Sequence, residues 1–134
     1  VHKQIYVNLP CKDLAASKAF FEAIGYSFNP HFTNEKGAGL ILGENLYAML
    51  LAEDFARTFT PKAFIDSKTS TGGWVCLSCE SREEVDAIVA KAEAAGGHIP
   101  GKAEDHGFMH GHRFEDLDGH HWEPVHMSGM PPQA

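Results

Sequence analysis

The chain repeats itself at an interval of 68 residues: Tyr6, Val7 and Leu9 are matched by Trp74, Val75 and Leu77. Each copy opens on a stretch with strand character, "QIYVNLP" (4–10) and "WVCLSC" (74–79). Each then turns into a helix. In the first copy Asp13 is a good N-cap for "LAASKAFFEAIG", where Leu14, Phe20, Phe21 and Ile24 recur at helical spacing and Gly25 is the stop. In the second, "SREE" (81–84) is a capping box, Val85, Ile88, Val89 and Ala92 carry the apolar stripe, and Gly96 and Gly97 end it. Three strands close each copy. The first has "YSFNPHFT" (26–33), "AGLILG" (38–43) and "NLYAMLLA" (45–52), with a tight turn near Glu44 and Asn45. A short helix in "EDFARTF" and a loop, "IDSKTSTGG", lead to the second copy. That copy ends in a short strand around His98 to Pro100 and a hairpin of "GFMHGHRFE" and "HHWEPVHM" about "DLDG". The tail, 128–134, is expected to fray.

A strand–helix–three-strand unit written twice has two apolar sheet faces to bury. The expected fold is therefore α+β: two tandem βαβββ modules, about 1–60 and 70–128, within one domain spanning 1–134. A curved mixed sheet would carry the helices outside and a cavity within.

Composition narrows the partners. The formal net charge is −7 with no Lys/Arg cluster, which disfavours nucleic acid and anionic membranes as partners. No apolar run approaches the roughly 20 residues that span a bilayer. No signal peptide shows, so a soluble cytoplasmic protein is the expectation. The three cysteines, Cys11, Cys76 and Cys79, are too few and too scattered for a disulfide framework. On a strand Cys76 and Cys79 point to opposite faces, so buried structural thiols are expected instead of a redox or zinc pair. No nucleophile elbow, P-loop or dinucleotide fingerprint is present, and the "GAG" at 37–39 runs into strand-like residues instead of opening a helix.

Three stretches, "VNLPCKDLAASKAFFEAIGYSF", "LSCESREEVDAIVAKAEAAGG" and "FEDLDGHHWE", resemble the vicinal oxygen chelate superfamily. That group includes glyoxalase I, bleomycin-resistance proteins, fosfomycin-resistance enzymes and extradiol dioxygenases. "DHGFM" is similar to a branch labelled as predicted lactoylglutathione lyases. The resemblance implies paired βαβββ modules and a homodimer. It also implies four metal ligands, one from each of four strands, holding a divalent ion that coordinates neighbouring substrate oxygens. Carried over, those positions read Tyr6, Trp74, Met49 (or Leu50, one register along) and Glu123. Only Glu123, four residues after Gly119, is an ordinary ligand. Trp and Met do not serve a hard, oxygen-preferring ion. The usual site, and with it a glyoxalase I activity, is therefore not expected.

The segment 110–123, "HGHRFEDLDGHHWE", offers a substitute. Taking "DLDG" as a four-residue loop pairs Phe114 with His121, Arg113 with Trp122, His112 with Glu123 and His110 with Val125. That register puts His112, His121 and Glu123 on one face, two imidazoles and a carboxylate able to hold Zn, Ni, Mn or Fe. A slip of one residue undoes it. His106, His110 and His126 are expected at loops or the rim, His120 and Arg113 on the outer face, and "DLDG" as turn chemistry.

The leading expectation is a small-molecule binder without a cofactor, resembling the bleomycin-resistance branch and taking an aromatic or cationic compound. Tyr6, Asn8, Met49, Trp74, His112 and His121 would line its site. Glu123 would be the catalytic candidate, a general base partnered by His112 or His121. The alternative is a metal-dependent lyase or dioxygenase on His112, His121 and Glu123.

Overall fold

A computed structural model describes residues 1–130; residues 131–134, most of the tail expected to fray, lie outside the described residues. The chain forms two compact units, Val1–Phe64 and Ile65–Ala134, each built on its own mixed sheet.

In the first unit, β1 (Ile5–Cys11) is followed by α1 (Leu14–Ile24), β2 (Ser27–Asn29), β3 (Gly37–Gly43), β4 (Leu46–Ala52) and the single-turn α2 (Glu53–Ala56). The sheet order is β1-β4-β3-β2, with β1 parallel to β4 and the other pairs antiparallel. Helix α1 starts where the Asp13 carboxylate accepts the Ala16 amide, 3.0 Å away, and ends at Gly25 with φ 119°. Its buried face is Leu14, Ser17, Phe20, Phe21 and Ile24. The sheet answers with Ala38, Leu40, Ala48 and Leu50, all at most 1 % exposed and paired Ala38 with Leu50 and Leu40 with Ala48. Removing each large side chain from water stabilises this core by about 1.5–3 kcal/mol.

The strand expected over 26–33 is shorter than the sequence suggests. It stops at Asn29, and Pro30–Phe32 form a 3-10 turn. Pro30 has no amide to give to a sheet, and the Asn29 side chain accepts the His31 amide at 2.9 Å, starting the turn. Gly39 makes room for it, because a Cβ there would lie 2.9 Å from the Phe32 Cβ.

In the second unit, β5 (Val75–Ser78) leads to α3 (Arg82–Ala94) and then to β6 (Glu104–Asp105), β7 (Met109–Gly111), β8 (Phe114–Glu115) and β9 (His121–Met127). The order is β5-β9-β7-β6, with β8 also on β9, and β5 runs parallel to β9. Ser81 accepts the Glu84 amide at 3.1 Å, half of the expected capping box; the Glu84 carboxylate reaches the amide of Glu80, not of Ser81. Val85, Val89 and Ala92 of α3 are buried, as are Phe114, Trp122 and Pro124 of the sheet. The short strand expected near His98 is a single bridge to Glu115.

The hairpin register differs from the sequence expectation by one residue. Phe114 pairs with Trp122, Glu115 with His121, Gly111 with Val125 and His110 with His126. The turn holds five residues, 116–120, instead of four. Asp116 is the reason: its amide donates to the His120 carbonyl, and its carboxylate accepts the amides of Asp118 and His120 at 3.0 and 2.9 Å. His120 is thus drawn into the turn and leaves the ladder.

Candidate functional site

On β9, Trp122 and Pro124 are buried on the side that packs with α3, and alternation turns His121 and Glu123 the other way. The parallel pairing sets Cys76 beside Glu123. Trp74, just before β5, covers them: its indole N–H donates to Glu123 Oε1 at 3.1 Å, and its ring lies 5.5 Å from the His121 ring, tilted 31°. Trp74 is 59 % exposed, so one ring face remains open to a ligand. The second carboxylate oxygen lies beside Gly111: a Cβ there would stand 3.7 Å from Glu123 Oε2, an ordinary contact, and 3.3 Å from Val125 Cγ1.

Electrostatics follow from this placement. Burial holds the His121 imidazole below its ordinary pKa and the Arg113 charge adds to that, against the pull of Glu123 and Glu115. The ring is therefore neutral at neutral pH. Its Nε2 is buried and has no hydrogen-bond partner. Partial desolvation against the sheet and the Glu123 carboxylate push the thiol of Cys76, itself solvent-exposed, up, so it stays protonated. The face offers an indole ring, a neutral imidazole and a carboxylate with one oxygen held by Trp74 and the other beside Gly111. Those groups suit a cationic or proton-donating ligand with a flat apolar body.

Four expectations need correction here. His112 does not join His121 and Glu123. The one-residue shift puts Arg113 across from Glu123 and turns His112 to the opposite face, where its Nε2 donates to the Gly101 carbonyl at 3.1 Å. The His112/His121/Glu123 metal triad is not assembled. Arg113, expected outside, lies on the Glu123 face by the same register, and its guanidinium pairs with Glu104 at 3.4 Å. Cys76 is exposed and not a buried thiol. The signal for it was in the repeat: Cys76 matches Asn8, and Asn8 pairs with Met49 as Cys76 pairs with Glu123.

The other expected lining residues lie in the first unit. Tyr6 stacks on Tyr47, centroids 5.2 Å apart, and gives its hydroxyl proton to Gln4 Oε1. Asn8, Met49 and Gly39 share one row of its sheet.

The only group of three His, Cys, Asp or Glu side chains with converging ligand atoms among the described residues is Asp116, Asp118 and His120. It is the hairpin turn itself. Asp116 is 6 % exposed and also accepts the Trp122 indole N–H at 3.0 Å.

Two βαβ-type units with a common strand–helix–strand plan define the class of fold. The profile of the Glyoxalase/Bleomycin resistance protein/Dioxygenase superfamily matches residues 3–123, and the chain belongs to that superfamily. It is similar to a solved hypothetical protein from S. aureus at 25 % identity, covering 93 % of this chain and 94 % of that one with a TM-score of 0.79. A glyoxalase-related enzyme from Fulvimarina pelagi is 20 % identical, with 100 % and 94 % covered and a TM-score of 0.79. A fosfomycin resistance protein from Listeria monocytogenes is 20 % identical, with 97 % and 95 % covered and a TM-score of 0.68. No curated protein matches the chain. Among the described residues no helix is long and apolar enough to cross a membrane.

The metal such a family implies does not fit the donors present. The Trp74 nitrogen is an N–H donor with no lone pair to give, and it is spent on Glu123, the one ordinary ligand. The Tyr6 phenol is committed to Gln4, and Met49 offers only a soft thioether.

Proposed function

We propose that the protein binds a small molecule, an aromatic or cationic compound, at the face formed by Trp74, His121 and Glu123, without the four-ligand metal of its relatives. The observation that carries this is the Trp74 N–H bond to Glu123 at 3.1 Å, which puts a proton donor where a ligand histidine would stand and orients the carboxylate beneath an exposed ring. Glu123 then neutralises the ligand's charge and accepts its proton, while Trp74 stacks on its body. The acidic balance of the chain draws cations toward it. The working form is a cytoplasmic homodimer of one 1–134 domain. Sequestration of the ligand follows from these residues directly; general-base catalysis by Glu123 is the chemistry the same face would support.

Calorimetric titration with a flat aromatic cation, N-methylquinolinium, tests it. Glu123→Gln is expected to weaken binding by about 10- to 100-fold through loss of a charge-assisted contact. Trp74→Leu is expected to weaken it by about 3- to 30-fold. Because His121 is held below its ordinary pKa, affinity should be flat through neutral pH and fall only below the usual imidazole range, where the ring gains a competing charge. Equal affinities for wild type and both variants would sink the proposal.

A further inference from the structure

The histidine-rich hairpin has a second face, the one packed with α3, and it is built differently. His110 on β7 and His126 on β9 are direct partners across the ladder. Paired residues carry their Cβ atoms about 4.5–5.5 Å apart on the same side of a sheet. The His110 side chain is only 11 % exposed, and its Nε2 meets Asp86 Oδ1 of α3 at 2.9 Å. An ionised carboxylate only accepts, so Nε2 carries the proton and Nδ1 is a lone pair. That Nδ1 is buried and has no hydrogen-bond partner. His126 is fixed in the complementary way. Its Nδ1 lies 3.1 Å from the Cys79 carbonyl, which can only accept, so Nε2 is the lone pair.

Two imidazoles on cross-strand partners thus each have one ring nitrogen tied to an acceptor, which leaves the other nitrogen as the lone pair. That is the arrangement outer-shell groups impose on metal-ligating histidines, where a carboxylate or a backbone carbonyl sets the tautomer and raises the basicity of the opposite nitrogen. The surroundings favour positive charge. Asp86 is bonded to His110, and Arg82 on the same helix is held by both oxygens of Asp105 at 2.9 Å. We propose that His110 Nδ1 and His126 Nε2 form a two-histidine site for a divalent ion of the first transition row, zinc being the simplest case, with water completing the coordination. Imidazole nitrogens suit such ions, and metal–nitrogen bonds of about 2.0–2.1 Å fall within reach of facing side chains. The site lies on the opposite side of the sheet from Glu123 and is independent of the ligand proposed there.

The test is titration of the tag-free 134-residue chain with zinc chloride by calorimetry, together with long-range 1H–15N spectra of the imidazole rings. One zinc per chain is expected. The metal should shift His110 Nδ1 and His126 Nε2 in the wild-type spectra, a readout that needs no variant. His110→Ala and His126→Gln should each abolish the stoichiometric event, and Asp86→Asn should weaken it about 10- to 100-fold. His31→Ala, His106→Ala and Glu123→Gln should leave it unchanged. Binding that survives His110→Ala and His126→Gln, or wild-type rings that do not respond to zinc, overturns the proposal. Thermal melting of the metal-free variants separates loss of a ligand from loss of the fold.

Discussion

Asp116→Ala is expected to destabilise the second unit by about 3 kcal/mol or more, read as a lowered midpoint in urea unfolding. The Asp116 carboxylate accepts the Trp122 indole N–H at 3.0 Å and the amides of Asp118 and His120 at 3.0 and 2.9 Å. Trp122 is fully buried, so its N–H would lose a partner that water does not replace. Asp116→Asn keeps an acceptor for the two turn amides but weakens or loses the bond to the indole, and should recover about half of the loss. The pH dependence separates the two. Burial pushes the Asp116 carboxyl up, against the pull of His120 and the Trp122 bond. A raised acid stabilises the fold fully below its ordinary value and loses that contribution as pH rises through the raised one. Wild type should therefore gain on Asp116→Asn as pH falls through the acid range. An Asp116→Ala midpoint equal to wild type would refute the role given to this carboxylate. The consequence for function is direct: the same turn sets the register that places Arg113, instead of His112, opposite Glu123.

Gly119→Ala should be comparably damaging, for a different reason. Gly119 has φ 90°, where a side chain costs about 1–3 kcal/mol in backbone strain alone. A Cβ there would also lie 2.7 Å from the Lys68 backbone nitrogen and 2.8 Å from its Cα. Backbone cannot swing aside as a side-chain tip can. Gly119→Asn distinguishes the two effects, because asparagine tolerates positive φ but keeps the Cβ. If the packing against Lys68 dominates, both variants unfold earlier than wild type by a similar margin in thermal scans. Full recovery with asparagine would show that strain alone decides.

How much of this was legible in the chain depends on the range of the interaction. The 68-residue repeat, the Asp13 and Ser81 caps and the apolar stripes of α1 and α3 are local patterns, and the elements follow them. Pro30 and Asn29 could have announced the early end of β2, since both act on neighbours one or two residues away. The alternation of β9 likewise separates Trp122 from His121 and Glu123 by spacing alone.

The register of the hairpin was not legible in the same way. It turned on whether His120 belongs to the turn or to the ladder, and that was decided by Asp116, whose carboxylate answers both to its own turn and to the Trp122 indole. One residue of shift exchanged His112 for Arg113 opposite Glu123 and set His110 against His126. The sequence alone determined the two long helices, the main strands and their order, because these depend on residue type and short spacing. Only the tertiary structure decided which side chains meet, because strand pairing has a period of two and a single hydrogen-bonded turn residue moves every partner to the other face.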